Sequence, residues 1–303
     1  MPPVVRVVGN GTAGSMQSER DRARLEEQIA SVFPDAVTLW GSETVRIDEL
    51  IARAMSDSPT LLVAAGGDGT INAVASAIVG TDIVLGVLPA GTLNHFAKDL
   101  GIPTDLADAV TLLRDGTPRR VDVGSVNDRI FLNNAGLGLY PEIVRRREAE
   151  QRQGASKWPA AFISAMRALY RYRELGLRLR TDTTTFLRRT PALFVGNNEY
   201  VNHDTLKPHR DSLTEGTLSV FIPRAHGRMQ LLWFTMRAMV GNVRDDRGFE
   251  MLKLEHVTVD AKHRLAHVSI DGEVVKLETP LAFESRRGAL LVMGPATALP
   301  TSS

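Results

Sequence analysis

Over the first ~120 residues, short runs that are apolar nearly throughout alternate with helix-period segments. No other feature of the chain limits its fold as much. Residues 4–8, 36–40, 60–65 and 83–88 read as strands that are apolar nearly throughout, while 18–33, 43–55 and 71–79 read as helices between them. A strand that is apolar on both sides needs cover on both sides, which a parallel sheet receives from its crossover helices. The βαβα order therefore predicts an α/β, doubly wound, mostly parallel sheet, whose ligand lies beyond the carboxyl ends of the strands. The glycine-rich stretches after the first and third runs fall at those ends.

From about residue 122 the pattern changes to short strands separated by turn signals, at 191–195, 216–222 and 255–259, with a hairpin over 266–277 around Asp271 and Gly272. Two amphipathic helices are expected, over 158–170 and 229–243. A length of 303 residues with 43% hydrophobic content allows two domains, each with a core. The expected division is a first domain over 1–122, followed by a mostly antiparallel β domain with added helices over 123–287. The chain has no cysteine, which excludes a disulfide framework, a thiolate nucleophile and any Cys-ligated metal site. The seven histidines form no H-E-x-x-H pattern that would point to zinc. A net charge of +1 argues against nucleic acid as partner. No secretory signal is read at the N-terminus, and the longest apolar stretch, 230–240, is broken by Arg237 and is shorter than the ~18 residues of a membrane span. The expectation is a cytoplasmic protein, peripheral at most at the inner face of the membrane.

Two glycine turns carry the chemistry. Gly9, Gly11 and Gly14 satisfy G-x-G-x-x-G spacing after a strand, but the second strand ends on Trp40-Gly41 without the acidic residue that a dinucleotide site uses for ribose. A plain strand-to-helix turn remains the alternative there. The second turn, GGDGTIN, comprises Gly66, Gly67, Asp68, Gly69, Thr70, Ile71 and Asn72, and opens a helix directly after a buried strand. Glycines admit close backbone approach, and a helix N-terminus offers free N–H groups to an anion. Asp68 would repel a phosphate unless a cation or a protonated hydroxyl lies between them, so it points to metal-assisted phosphoryl chemistry; a tight turn satisfied locally by Asp68 is the alternative. No G-x-x-x-x-G-K-[ST] is present, so a Walker-type nucleotide site is unsupported.

GGDGTIN, then PAGTLNHFA at 89–97, VDVG at 121–124, FLNNAGLG at 131–138 and IDGE at 270–273 together resemble the diacylglycerol kinase catalytic family, in its bacterial lipid kinase branch, related to sphingosine kinases and NAD kinases. The resemblance covers nearly the whole chain with its motifs in order. It implies ATP and Mg²⁺ as cofactors, a first domain that binds the nucleotide, and a second, an antiparallel β-sandwich, that contributes the lipid site, with 288–303 returning to the first domain. By the same resemblance Asn10, Thr38, Thr92 and the residues from Gly66 to Asn72 contact the nucleotide. Glu273 is the general base, with Asp271 in the same catalytic turn and Asp68 and Asp122 in an acidic network. Glu215, Ser212, Thr217 and Asp122 stand where a structural magnesium loop is expected.

The chain departs from the family twice, with His95 in place of an Asp and Glu215 in place of the loop's Asp. Imidazole is a poor Mg²⁺ ligand. The resemblance implies transfer of the γ-phosphoryl of ATP to a hydroxyl of diacylglycerol or a related lipid. A kinase of NAD or another soluble alcohol, and a non-catalytic lipid or nucleotide sensor, are the alternatives. Between 142 and 189 stand 12 basic and 5 acidic residues, a local net of +7 that leaves −6 for the rest. Such a segment suits either anionic lipid or an ordinary solvated face. A lipid substrate, a peripheral membrane contact and a homodimer are the expected partners.

Overall fold

The structure is a computed structural model and describes residues 3–12, 14–138, 174–200, 210, 212–224 and 249–296. The helices expected over 158–170 and 229–243 lie outside the described residues. By its internal contacts the chain divides into one unit of Met1–Val123, His209–Gly216 and Arg286–Ser303, and a second of Gly124–Pro208 and Thr217–Ser285.

In the first unit β1 (Val5–Asn10), β2 (Val37–Gly41), β3 (Leu61–Gly66) and β4 (Val84–Pro89) pair in parallel in the order β2-β1-β3-β4. All six residues of β3 are buried, as an all-apolar strand requires. Helices α1 (Glu19–Val32), α2 (Ile47–Ser56), α3 (Asp68–Ile78) and α5 (Leu106–Asp115) each bury one stripe: Leu25 and Ile29 in α1, Leu50, Ile51 and Ala54 in α2, and Ile71, Val74, Ala75 and Ile78 in α3. The short α4 spans His95–Asp99. From β1 the chain passes outward to β2 and then back across β1 to β3. The order of the sheet thus reverses between β1 and β3, and a crevice forms beyond the carboxyl ends of such a pair.

The last strand, β16 (Leu281–Gly294), supplies the fifth neighbour of this sheet. Leu291 and Val292 pair in parallel with Val84 and Leu85, and Leu290 and Val292 are fully buried. The parallel α/β sheet is the architecture that the sequence pattern predicts, and the return of the chain's end is what the family resemblance implies.

β5 (Thr117–Val126) leads into the second unit and pairs there with β6 (Arg129–Phe131). One antiparallel sheet runs β12 (Phe249–Leu254), β11 (Leu218–Pro223), β10 (Ala192–Asn197), β7 (Asn134–Gly138), β14 (Leu265–Ile270), β15 (Glu273–Glu278). A second antiparallel set runs β9 (Thr185–Thr190), β8 (Leu175–Arg180), β13 (His256–Ala261) and the first residues of β16. One apolar core joins the two: Leu193, Val195 and Val220 from the first sheet meet Leu179, Val259 and Phe283 from the second. Burial alternates along β8, with Leu177 and Leu179 inside and Gly176, Arg178 and Arg180 outside, as a sheet with one covered face dictates. Two sheets over one core make a sandwich.

Candidate active site

Three turns meet at the carboxyl ends of β1, β3 and β4. The β1 turn is an Asx-turn in which Asn10 Oδ1 accepts from Thr12 N at 3.0 Å and Thr12 Oγ1 at 2.8 Å. The Arg22 guanidinium in α1 ties this turn down by donating to the carbonyls of Gly11 (3.1 Å) and Met16 (3.0 Å). Ser15 N then donates to Ala90 O (3.1 Å), and Ala90 N to Gly66 O (3.0 Å), which links all three turns. Gly91 lies against Gly67 so closely that a Cβ on Gly91 would stand 2.4 Å from Gly67 Cα; the absence of side chains lets the two turns touch backbone to backbone.

Asn94, buried and in the left-handed region at φ 51°, is spent inside its own turn. Its Nδ2 donates to Gly91 O (2.9 Å) and Pro89 O (3.2 Å), and its Oδ1 accepts from Gly91 N (3.1 Å). Asn94 is therefore the turn's scaffold, and exposed Thr92 is the polar side chain left open to a ligand. Exposed His95 begins α4.

The turn after β3 can bind an anion. Helix α3 starts at Asp68 behind Gly67 with no side-chain cap, so the N–H groups of its first turn are open to a ligand. Asp68 is half-buried, its Oδ1 accepts from Phe96 N at 3.3 Å, and among the described residues its Oδ2 has no hydrogen-bond partner. One uncommitted carboxylate oxygen beside a phosphate cradle suits Mg²⁺, which is commonly held by one or two carboxylates plus the oxygens of a phosphate substrate. Among the described residues no group of three or more His, Asp or Glu gathers into a dedicated cage. Thr70 is buried beside Gly66, and Ile71 is in the core. Asn72 Oδ1 accepts from Ser76 Oγ at 3.2 Å.

Thr38 is not brought to these turns. It pairs with Val7 in mid-strand, three residues before Gly41, which is opposite Asn10. The end of β2 instead lays the Trp40 ring over Gly9, where a dinucleotide site would present its ribose-binding carboxylate.

In the second unit, β14 and β15 form the expected hairpin, with Asp271 (φ 45°) and Gly272 (φ 91°) as its two turn residues, the paired positive φ values of a type I′ turn. The Asp271 carboxylate gathers three backbone amides: Oδ2 accepts from Leu132 N (2.7 Å), and Oδ1 from Asn133 N (2.8 Å) and Asn134 N (2.9 Å). Asp271 thus binds the 131–134 loop to the turn and positions exposed Glu273, the first residue of β15. Asn197 completes this cluster, donating through N to Asn133 O (2.9 Å) and through Nδ2 to Leu132 O (3.2 Å), and Tyr200 OH also donates to Asn133 O (3.0 Å). Sequence reasoning singled out neither Asn197 nor Tyr200. Their signal was the polar run Asn197-Asn198-Glu199-Tyr200 straight after a buried strand.

The loop expected to hold structural magnesium belongs partly to the first unit. Asp122, 2% exposed, turns both oxygens to backbone donors, Gly216 N at 2.6 Å and Gly288 N at 2.8 Å, while its own N donates to Leu213 O at 2.8 Å. Asp122 is placed as a staple for three chain segments. That geometry does not favour it as a metal ligand. Ser212 Oγ accepts from Thr214 N at 3.2 Å, and Glu215 is half-buried in the same loop. Thr217 O accepts from Asn198 N at 2.8 Å, within the second unit. Arg210 anchors the same stretch, its guanidinium on Asp99 at 2.6 and 2.8 Å with the Arg side chain fully buried.

Comparison with known proteins agrees with this architecture. Residues 4–126 match the family described as the diacylglycerol kinase catalytic domain, and residues 143–294 match the YegS C-terminal NAD kinase beta sandwich-like domain. The chain is 28% identical over 224 residues to a protein named diacylglycerol kinase of Staphylococcus aureus (strain bovine RF122 / ET3-1), covering 72% of this chain and 69% of that one. It is 27% identical over 276 residues to a protein of the same name from Bacillus subtilis (strain 168), covering 88% and 89%. A crystal structure described as a diacylglycerol kinase from Bacillus anthracis str. Sterne superposes with a TM-score of 0.68 at 19% identity, covering 98% of both chains. The chain belongs to the diacylglycerol kinase catalytic domain family and carries the YegS-type β-sandwich-like C-terminal domain.

Proposed function

We propose that the protein transfers the γ-phosphoryl group of ATP to a hydroxyl of diacylglycerol or a closely related membrane lipid. The observation that supports this most is the uncapped N-terminus of α3 at the β1/β3 reversal, with the uncommitted Oδ2 of Asp68 beside it. The N–H groups of 67–70 would bind the nucleotide's phosphate oxygens, and the Asn10 and Gly91 turns would wall the cradle. Asp68 would hold Mg²⁺ together with phosphate oxygens, and the metal would neutralise charge on the transferring group. Glu273 would take the proton of the acceptor hydroxyl as that oxygen bonds to γ-phosphorus and the bond to the β-phosphate oxygen breaks, releasing ADP. Family membership points to a kinase-type enzyme.

The test is transfer from labelled ATP to detergent-dispersed diacylglycerol, with NAD as the competing acceptor. Wild type should label the lipid and leave NAD unlabelled, and Asp68→Asn and Glu273→Gln should each lower kcat by about 10²–10⁴-fold. Labelling of NAD alone would replace the lipid reading. Full activity in Glu273→Gln would remove the assigned base.

A further inference from the structure

The outer face of the second unit's four-strand set holds three cations around a gap. Antiparallel register places Gly176 opposite Arg189 and Arg178 opposite Leu187 on β9, and places Arg178 opposite Asp260 on β13. Lys262, the residue after the end of β13, lines the same groove as Gly176. Directly opposed side chains in such a sheet start roughly 5 Å apart at Cβ, so Arg189 flanks a position without a side chain, with Arg178 two residues along β8 and Lys262 in the same groove lining. A Cβ on Gly176 would meet nothing within 4 Å. These residues line a groove of about 660 Å³.

Asp260 is the acid in the groove, and it is paired with Arg180 at 3.2 Å. Among the described residues Arg178, Arg189 and Lys262 have no ion-pair or hydrogen-bond partner. Opposite Arg178 and two residues along β9 from Arg189 stands Leu187, 68% exposed, one of the most exposed large apolar side chains described. Charges on an edge strand such as β9 also deter edge-to-edge pairing. That purpose requires neither a glycine gap nor an exposed leucine among the charges.

We propose that this face docks on an anionic bilayer, with a lipid phosphate seated over Gly176 between Arg189, Lys262 and Arg178, and Leu187 resting among the acyl chains. The proposal rests on the lipid-kinase reading for its choice of a bilayer as occupant. A phosphate dissolved in water would use the cations alike but would gain nothing from Leu187. A bilayer surface matches both, since its headgroups satisfy the charges and its interior takes the apolar contact.

The experiment is co-sedimentation, without nucleotide, with vesicles of phosphatidylcholine alone and of phosphatidylcholine mixed with phosphatidylglycerol. Wild type should prefer the anionic vesicles, with binding falling as salt rises. Arg178→Gln and Arg189→Gln should each weaken that binding about fivefold, from ~1 kcal/mol per basic residue at a lipid surface. Gly176→Glu, which the open space accommodates, and Leu187→Ser should weaken it as well, with thermal midpoints unchanged. Binding by these variants equal to wild type would overturn the proposal. So would full displacement by dissolved glycerol phosphate with Leu187→Ser binding normally, the pattern of a soluble-anion site. Turnover of detergent-dispersed diacylglycerol should stay at the wild-type level in all four variants. If wild type has no such turnover, the kinase reading fails alone, because the vesicle result is obtained without catalysis.

Discussion

At the scale of single residues, several side chains that look catalytic hold backbone in place. Asp271 holds three amides of the 131–134 loop, Asp122 holds Gly216 and Gly288, and Asn94 closes the turn that presents Thr92. A carboxylate that accepts from several N–H groups supports its surroundings, because losing it strands each donor at about 1–3 kcal/mol where that donor is buried. Asp271→Ala should therefore lower stability by about 1–3 kcal/mol, and Asp271→Asn by less, since Asn tolerates positive φ and keeps one acceptor oxygen. Urea midpoints of the two variants against wild type measure the difference. Motif spacing placed Asp271 and Glu273 at one turn but could not separate the support from the exposed group. Hydrogen bonds that join residues 137–139 positions apart separate them.

At the scale of elements, the strands that were legible were those whose burial leaves a local pattern. The mainly apolar β1, β3 and β4 could be read within a residue or two of their ends. β9, with sequence TFLRRT, and β12, FEMLKL, were not read as strands, because alternation with charged residues on so short a run is a weak signal. These two strands carry a tie between the sheets of the sandwich. Arg188 of β9 grips Glu250 of β12 through two bonds, at 2.8 and 2.7 Å, with its guanidinium 4.7 Å from the Phe186 ring centroid. Hydrogen bonding to Arg188 lowers the Glu250 carboxyl below its ordinary value. A carboxylate lowered by folding adds stability above its unfolded pKa, and that stability is lost as pH falls through the folded one. Thermal midpoints of wild type should therefore fall more steeply than those of Glu250→Gln as pH drops below the usual carboxylate range, and parallel curves would show that the tie contributes nothing.

At the scale of the whole molecule, the chain enters its first unit three times, the last by β16, whose Leu290 and Val292 are fully buried there. Ending the chain at Ser285 removes those two side chains, the pairing with β4 and the Gly288 N–H bonded to Asp122. Two buried aliphatic side chains alone contribute roughly 3–6 kcal/mol, a large share of an ordinary domain's stability. The truncated protein should lose the cooperative unfolding transition of the parallel-sheet unit, which circular dichroism and limited proteolysis would report. Net charge also divides: of the 12 basic residues between 142 and 189, Arg178, Arg180, Arg188 and Arg189 lie on β8 and β9, and the other eight lie outside the described residues. Among the described residues no helix is long and apolar enough to cross a membrane.

The sequence by itself determined the alternating α/β order, the hairpin at Asp271-Gly272 and the glycine turn that opens α3, because apolar periodicity and turn chemistry act between near neighbours. Only the tertiary structure decided that Thr38 lies in mid-strand, that Asp122 and Asp271 serve as staples, that residues 210–216 return to the first unit and that three cations line one groove with Gly176. Each of those depends on strand register or on hydrogen bonds between segments far apart in the chain, which no local pattern encodes.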